Sequence, residues 1–146
     1  MRIILMRIIL DTNILLSALL SPHGPPAKLL DAWESKKFDL VACDALIVEL
    51  REVAARPFFR ARLRPGTAAM LADGLREFSL FFPKVPTGRA APHFAPDPKD
   101  SYLLALAEVS HSDFLVTGDK ELLTLGRQKL TRIVTASAMV QILSQA

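Results

Sequence analysis

The sequence predicts an α/β fold with three layers, helices on both faces of a parallel sheet of about five strands. Two observations carry this. Short apolar runs alternate along the chain with segments of helical spacing, the pattern of strands joined by helical crossovers. The runs are also apolar throughout rather than at every second residue, as strands covered on both faces are. With 146 residues, about half of them apolar and under a quarter charged, the chain suits one globular domain with a substantial core.

The first strand is Arg7–Leu10 (RIIL), which runs directly into Asp11. It lies in a direct repeat, MRIIL-MRIIL. Residues 1–5 are therefore expected to be a duplicated extension, with Met6 as the natural start and residues 6–146 as one domain. Arg7 and Asp11 interrupt the apolar run, so it does not read as a signal peptide, and no stretch reaches the length of a membrane span. Ile14–Leu20 predicts a helix, broken by Ser21-Pro22 and Gly24-Pro25-Pro26. Ala27–Lys37 predicts a second helix through Leu29, Leu30 and Trp33. Asp39–Cys43 predicts a strand, and Asp44 is placed to cap a helix reaching about Ala55, before Pro57. Thr67–Phe78 predicts a helix, Leu80–Val85 a strand, and Gly88–Pro98 a proline-rich loop. Lys99–Val109 predicts a helix and Phe114–Thr117 a strand ending at Gly118-Asp119. A short helix over Lys120–Leu125, a strand over Arg132–Thr135 and a helix from Ser137 complete the chain.

Ligands of open parallel sheets bind beyond the carboxyl ends of the strands. Asp11 and Asp119 both stand there. Each also has a local explanation: Asp119 as the N-cap of the next helix, and Asp11-Thr12-Asn13 as turn and capping residues. In the helix from Asp44, the apolar stripe is Leu46, Ile47, Leu50, Val53 and Ala54. Glu49 borders that stripe and can reach over the sheet edge or turn to water; Glu52 points away from it. In Asp97-Pro98-Lys99-Asp100, Asp97 fits an N-cap, Pro98 the first helical position and Asp100 a capping-box acid.

Asp11-Thr12-Asn13, Glu49 in LIVELREV, Asp100 in DPKDSYLLALA and Asp119 in LVTGDKELL resemble, in order and spacing, the motifs of PIN-domain nucleases. The resemblance spans about Arg7 to Met139 and is strongest to the toxins of bacterial toxin–antitoxin pairs (VapC-like). It implies that Asp11, Glu49, Asp100 and Asp119 are catalytic, metal-binding acids, with Thr12, Asn13 and Thr117 as polar support. Asp97 matches a frequently acidic position, although capping accounts for it. The implied activity is hydrolysis of RNA phosphodiester bonds with Mg²⁺ or Mn²⁺, leaving a 5′-phosphate and a 3′-hydroxyl. The implied partners are RNA, a cognate antitoxin and a second copy in a homodimer.

The residue types suit such chemistry. Two carboxylates ~4 Å apart repel by about 4 kcal/mol at an effective dielectric of 20, and a divalent cation removes the conflict. Oxygen-only donors select hard ions, and zinc spacing of Cys and His is absent. A bound metal would activate water, align it and stabilise phosphate charge. A metal-free ribonuclease needs paired histidines. His23, His93 and His111 have no such setting, and His93, in the loop before the site, is the one nearest to a role. The single Cys43 forms no internal disulfide, reads as a small buried hydrophobe and fits a reducing cytoplasm.

A net charge of +3 permits nucleic-acid binding without requiring it. Arg51, Arg56, Arg60, Arg62 and Arg64 cluster against Glu52 alone. They can be RNA contacts, with Arg51, Arg56 and Arg60 foremost, a solvated surface, or an antitoxin contact. Phe58, Phe59, Phe81 and Phe82 are core residues or base-stacking surfaces. The competing functions are a PIN-like module that binds RNA or protein without cutting, and a phosphatase. An aspartyl-nucleophile phosphatase wants a second Asp where Asn13 stands, and a G-x-S-x-G elbow is absent.

Overall fold

Ile8, Ile9 and Leu10 are fully buried, and their strand, β1 (Arg7–Leu10), lies in the interior of the sheet. The fold is that of a computed structural model, which describes residues 4–86 and 101–145. β1 pairs in parallel with β2 (Asp39–Cys43) on one side and β4 (Phe114–Val116) on the other. β3 (Leu80–Phe82) extends the sheet beyond β2, and β6 (Thr131–Val134) extends it beyond β4, both parallel. β5 (Arg127–Gln128) closes the edge antiparallel to β6. The order is β3-β2-β1-β4-β6-β5. The expected mixed α/β fold is thus observed, with one short antiparallel strand added.

The helices follow from apolar spacing and from breakers. α1 (Thr12–Leu20) starts directly after Asp11, two residues earlier than its apolar stripe begins. α2 (Pro25–Glu34) begins at the prolines expected to break the chain, because proline suits the first helical turn. It stops at Glu34, since Lys36 takes a positive φ of 59°. α3 (Asp44–Ala54) has Cys43 as its N-cap, without a side-chain bond. Asp44 is therefore the first helical residue rather than the cap, and its carboxylate accepts from Arg76 Nη1 at 2.9 Å. α4 (Pro57–Arg60) was not anticipated: Pro57, read as a stop, opens this single turn. α5 (Thr67–Phe78) and β3 follow; β3 ends at Phe82 because Pro83 has no N–H for a ladder. The chain continues through α6 (Ser101–Ser110), α7 (Lys120–Leu125) and α8 (Ala136–Gln145). The expected loop over 88–98, with His93 and Asp97, and the start of the helix expected from Lys99, with Asp100, lie outside the described residues.

From β1 the chain steps to β2 and β3 on one side, then returns to β4 and β6 on the other. Right-handed crossovers in opposite directions put helices on opposite faces. α1 packs on α2 and α3, α3 on α5 and α2 on α8, whereas α6 packs on β1, β2, β4 and β5. Ser101 to Ala107 of α6 are all buried, so this helix is covered around its circumference. Before β1, the Asp39 N–H donates to the Met6 carbonyl at 2.9 Å and Met6 packs on the core, while Ile4 is 89% exposed.

Candidate active site at the β1–β4 edge

The chain order reverses direction between β1 and β4, so the crevice beyond their carboxyl ends is a topological switch point. Asp11 enters it from β1: its N–H continues the ladder to the Val116 carbonyl at 2.9 Å. The following residue, Thr12, starts α1, which fixes the Asp11 side chain between strand and helix. Asp11 is 5% exposed. The Thr117 hydroxyl, fully buried just beyond β4, donates to Asp11 Oδ2 at 2.7 Å. The same oxygen of Thr117 accepts the Asp119 N–H at 3.1 Å. One threonine thereby ties together the ends of β1 and β4.

Glu49 arrives on α3, half-buried, while Glu52 on the same helix is exposed. The Thr12 hydroxyl donates to Glu49 Oε1 at 2.8 Å and also lies 3.4 Å from Asp11 Oδ1. A hydroxyl has one hydrogen, so the shorter contact takes it. A single oxygen atom then stands between two carboxylates. Burial raises the Asp11 pKa above the ordinary aspartate value, partly offset by the bonds from Thr117 and Thr12, and Asp119 raises it further. Burial likewise raises Glu49, opposed by the Thr12 bond, and neighbouring Asp11 adds to the rise. The positive charge of Arg56 draws Glu49 weakly the other way. The ion pairs Arg76–Asp44 and Lys129–Glu108 lie elsewhere.

Asp119 combines the two roles open to it. Its Oδ1 caps α7, accepting from the N–H groups of Glu121 at 2.8 Å and Leu122 at 3.4 Å, and its charge is felt at Asp11. Asn13 is exposed in the first turn of α1. Among the described residues, no group of three or more His, Cys, Asp or Glu is assembled closely enough to hold a metal. The donor chemistry nevertheless fits a hard cation: Asp11 and Glu49 present carboxylate oxygens with raised pKa values, held by neutral hydroxyls rather than by ammonium groups.

Tyr102 is a site residue that sequence reasoning missed. It is 6% exposed on α6, and its hydroxyl is buried with no hydrogen-bond partner among the described residues. Burial pushes its pKa far up, and the charges of Glu49 and Asp11 add to the rise. The available signal was an aromatic ring with a polar tip standing before the aliphatic run Leu103–Ala107, two residues after Asp100.

Arg51, Arg56 and Arg60 are exposed at the end of α3 and on α4. Arg62 lies over the Phe58 ring at 4.0 Å and donates to the Phe58 carbonyl at 2.8 Å. Phe58 is 55% exposed, whereas Phe59 is buried and meets it edge-on with centroids 5.1 Å apart. Phe81 and Phe82 pack on the core from β3. Cys43 is buried and its thiol is pushed up by burial. A separate apolar cavity of about 660 Å³ is lined by residues including Leu19, Leu30, Trp33, Met70, Leu71 and Phe78, away from the acids. No described helix is long and apolar enough to cross a membrane.

A family model described as "PIN domain" matches residues 7–121. No curated protein matches the chain.

Proposed function

The chain belongs to the PIN-domain family, whose members are in general nucleases, and from that premise we propose a Mg²⁺- or Mn²⁺-dependent endoribonuclease acting as the toxin of a toxin–antitoxin pair. The observation that carries the reading is the Asp11–Thr12–Glu49 contact at the switch point, where the Thr12 hydroxyl donates to Glu49 at 2.8 Å and its oxygen lies 3.4 Å from Asp11. Asp11 and Glu49 would hold the metal, with Asp119 and Asp100 as further ligands on the strength of the sequence motif. A bound divalent ion supplies charge neutralisation at the phosphate and activation of water at neutral pH.

The chain's own side chains do the rest. Thr117 holds Asp11 Oδ2 and the Asp119 backbone in one frame. Thr12 turns Glu49 toward Asp11. Exposed Arg51, Arg56 and Arg60, at the end of the helix that carries Glu49 and on the turn after it, offer planar guanidinium groups that can grip phosphate through two parallel bonds. RNA is the proposed substrate. A cognate antitoxin, a homodimer and a cytoplasmic location belong to the same proposal and rest on the family resemblance.

The test is cleavage of single-stranded RNA by the purified chain with Mg²⁺, with Mn²⁺ and in excess chelator. Cutting only with metal is expected. Undiminished cutting in chelator overturns the metal route, and RNA bound but never cut replaces the nuclease with a binding module. Induced expression should arrest growth, with the Asp11→Asn variant harmless. Unimpaired growth under the wild-type chain removes the toxin role.

A further inference from the structure

We propose that Phe58, with the Arg62 guanidinium laid over it, is a stacking subsite for one unpaired nucleobase, and that the surrounding arginines take the flanking phosphates, so that the chain binds RNA in single-stranded form. Phe58 and Phe59 are neighbours in the single turn α4, where successive side chains point about 100° apart. Phe59 turns into the core, 7% exposed, and Phe58 turns out, 55% exposed. The exposed ring is nevertheless fixed. It meets Phe59 edge-on, with centroids 5.1 Å apart and planes at 86°. Arg62 lies 4.0 Å from its centre and is held there by a 2.8 Å bond from Nη1 to the Phe58 carbonyl. That bond uses one N–H of a guanidinium that carries several, so others remain to donate to a phosphate. A ring ordered before binding loses little freedom when a base lies on it, and a planar guanidinium carries a base as well. Arg51, Arg56, Arg60, Arg62 and Arg64 are all exposed, and Glu52 is the one acid among residues 51–64. Among the described residues none of these five arginines is in an ion pair, whereas Arg76 and Lys129 each have a carboxylate.

The competing explanation is a solvated surface on which Arg62 merely covers an aromatic ring. Single exposed apolar residues are ordinary, and a guanidinium lies over a ring in many proteins without any ligand. Charge separates the two. Five like charges with one acid among them repel one another, and a surface that serves only solubility intersperses both signs. Such a stretch is complementary to a polyanion, and the half-exposed ring within it adds a flat apolar face. Unpaired RNA meets both demands, because it offers phosphates and unstacked bases together. A duplex offers the phosphates but keeps its bases stacked inside. The position also fits. α4 packs on α3, which carries Glu49, and the rise from Glu49 to Ala54 at the end of α3 is about 7–8 Å. Naming RNA as the occupant rests on the nuclease reading above; the ordered, exposed ring among arginines outside any ion pair does not.

The test is fluorescence anisotropy of a labelled uridine homopolymer with the purified full chain in chelator, so that binding is read without cutting, beside an RNA duplex of equal length. Phe58→Ala should weaken binding of the single strand about tenfold, the scale of one lost stacking contact, and leave duplex binding unchanged. Phe58→Trp should bind the single strand at least as tightly as the wild type. Arg60→Ala should weaken binding of both forms and lower the salt slope by about one, while Phe58→Ala keeps the wild-type slope. Equal single-strand binding by the wild type and Phe58→Ala overturns the subsite and leaves the ring to a protein partner. Equal losses on single strand and duplex overturn it too, since they mark general damage to the surface, and so does a wild type that binds neither RNA. Mg²⁺-dependent cleavage separates this proposal from the reading it rests on. Phe58-dependent binding by a wild type that never cuts removes the nuclease and keeps the subsite. Cleavage undiminished in Phe58→Ala at limiting RNA keeps the nuclease and removes the subsite.

Discussion

Replacing Thr117 by Val tests whether the acid pair is held by the network described. The two side chains have nearly the same shape, so packing is conserved while one hydroxyl disappears. That hydroxyl donates to Asp11 Oδ2 at 2.7 Å and accepts the Asp119 N–H at 3.1 Å. Thr117 is fully buried and Asp11 is 5% exposed, so water cannot readily replace the lost donor. A hydrogen bond to a charged acceptor contributes about 1.5–3 kcal/mol. The expected loss is therefore about 2 kcal/mol at neutral pH, or roughly 4–8 °C in melting temperature for a chain of this size. The assay is urea unfolding of the metal-free protein at neutral pH and in mild acid, beside Thr117→Ser, which keeps the hydroxyl. The sign follows from linkage. Asp11 has a raised pKa in the folded protein, so its contribution is present below the ordinary aspartate value and is lost as pH rises through the folded value. Removing Thr117's donor raises the folded value further, so the penalty must be largest at neutral pH and must shrink on acidification. A Thr117→Val protein within about 0.5 kcal/mol of the wild type at neutral pH refutes the network, since that is the scale of a surface substitution.

Asp11→Asn should lower RNA cleavage at least about a hundredfold, the scale of losing one key transition-state group. It should also raise the neutral-pH melting temperature of the metal-free protein, because a buried charge beside Glu49 and Asp119 is removed. That stabilisation should fade in acid, where the wild-type carboxyl is already protonated. Full turnover in the variant, or a gain in stability that is the same at every pH, contradicts the reasoning. Glu49→Gln should abolish cleavage while Glu52→Gln stays within about 0.5 kcal/mol of the wild type and retains activity, since Glu52 is exposed. An inactive Glu52→Gln beside an active Glu49→Gln would show that the wrong face of α3 had been assigned to the site.

The parts of the site legible in the sequence are those where burial is one-sided or abrupt. RIIL passes from full burial into Asp11 at a strand end, and FLVTG does the same before Asp119. Their placement at the sheet's switch point follows from strand order, which the alternation of elements does not specify and the fold supplies. Glu49 was legible because α3 has an apolar stripe and a wet face, so helical phase says which residues stand on the border. Local rules misplaced Asp44 by one position, and α4 went unread although α3 does end before Pro57: a proline that stops one helix can open the next. β5 was invisible because two polar edge residues carry no periodicity. The threonine bonds could not be read either. Thr12 and Thr117 are ordinary turn residues until the ends of β1 and β4 are brought side by side, and only then does each hydroxyl find its carboxylate. Tyr102 is the limiting case. α6 is apolar on every side and buried on every side at Ser101 to Ala107, so its sequence has no phase to read. Which of its side chains faces the acids is decided by the layer that covers it, and that is a property of the packed fold rather than of the segment.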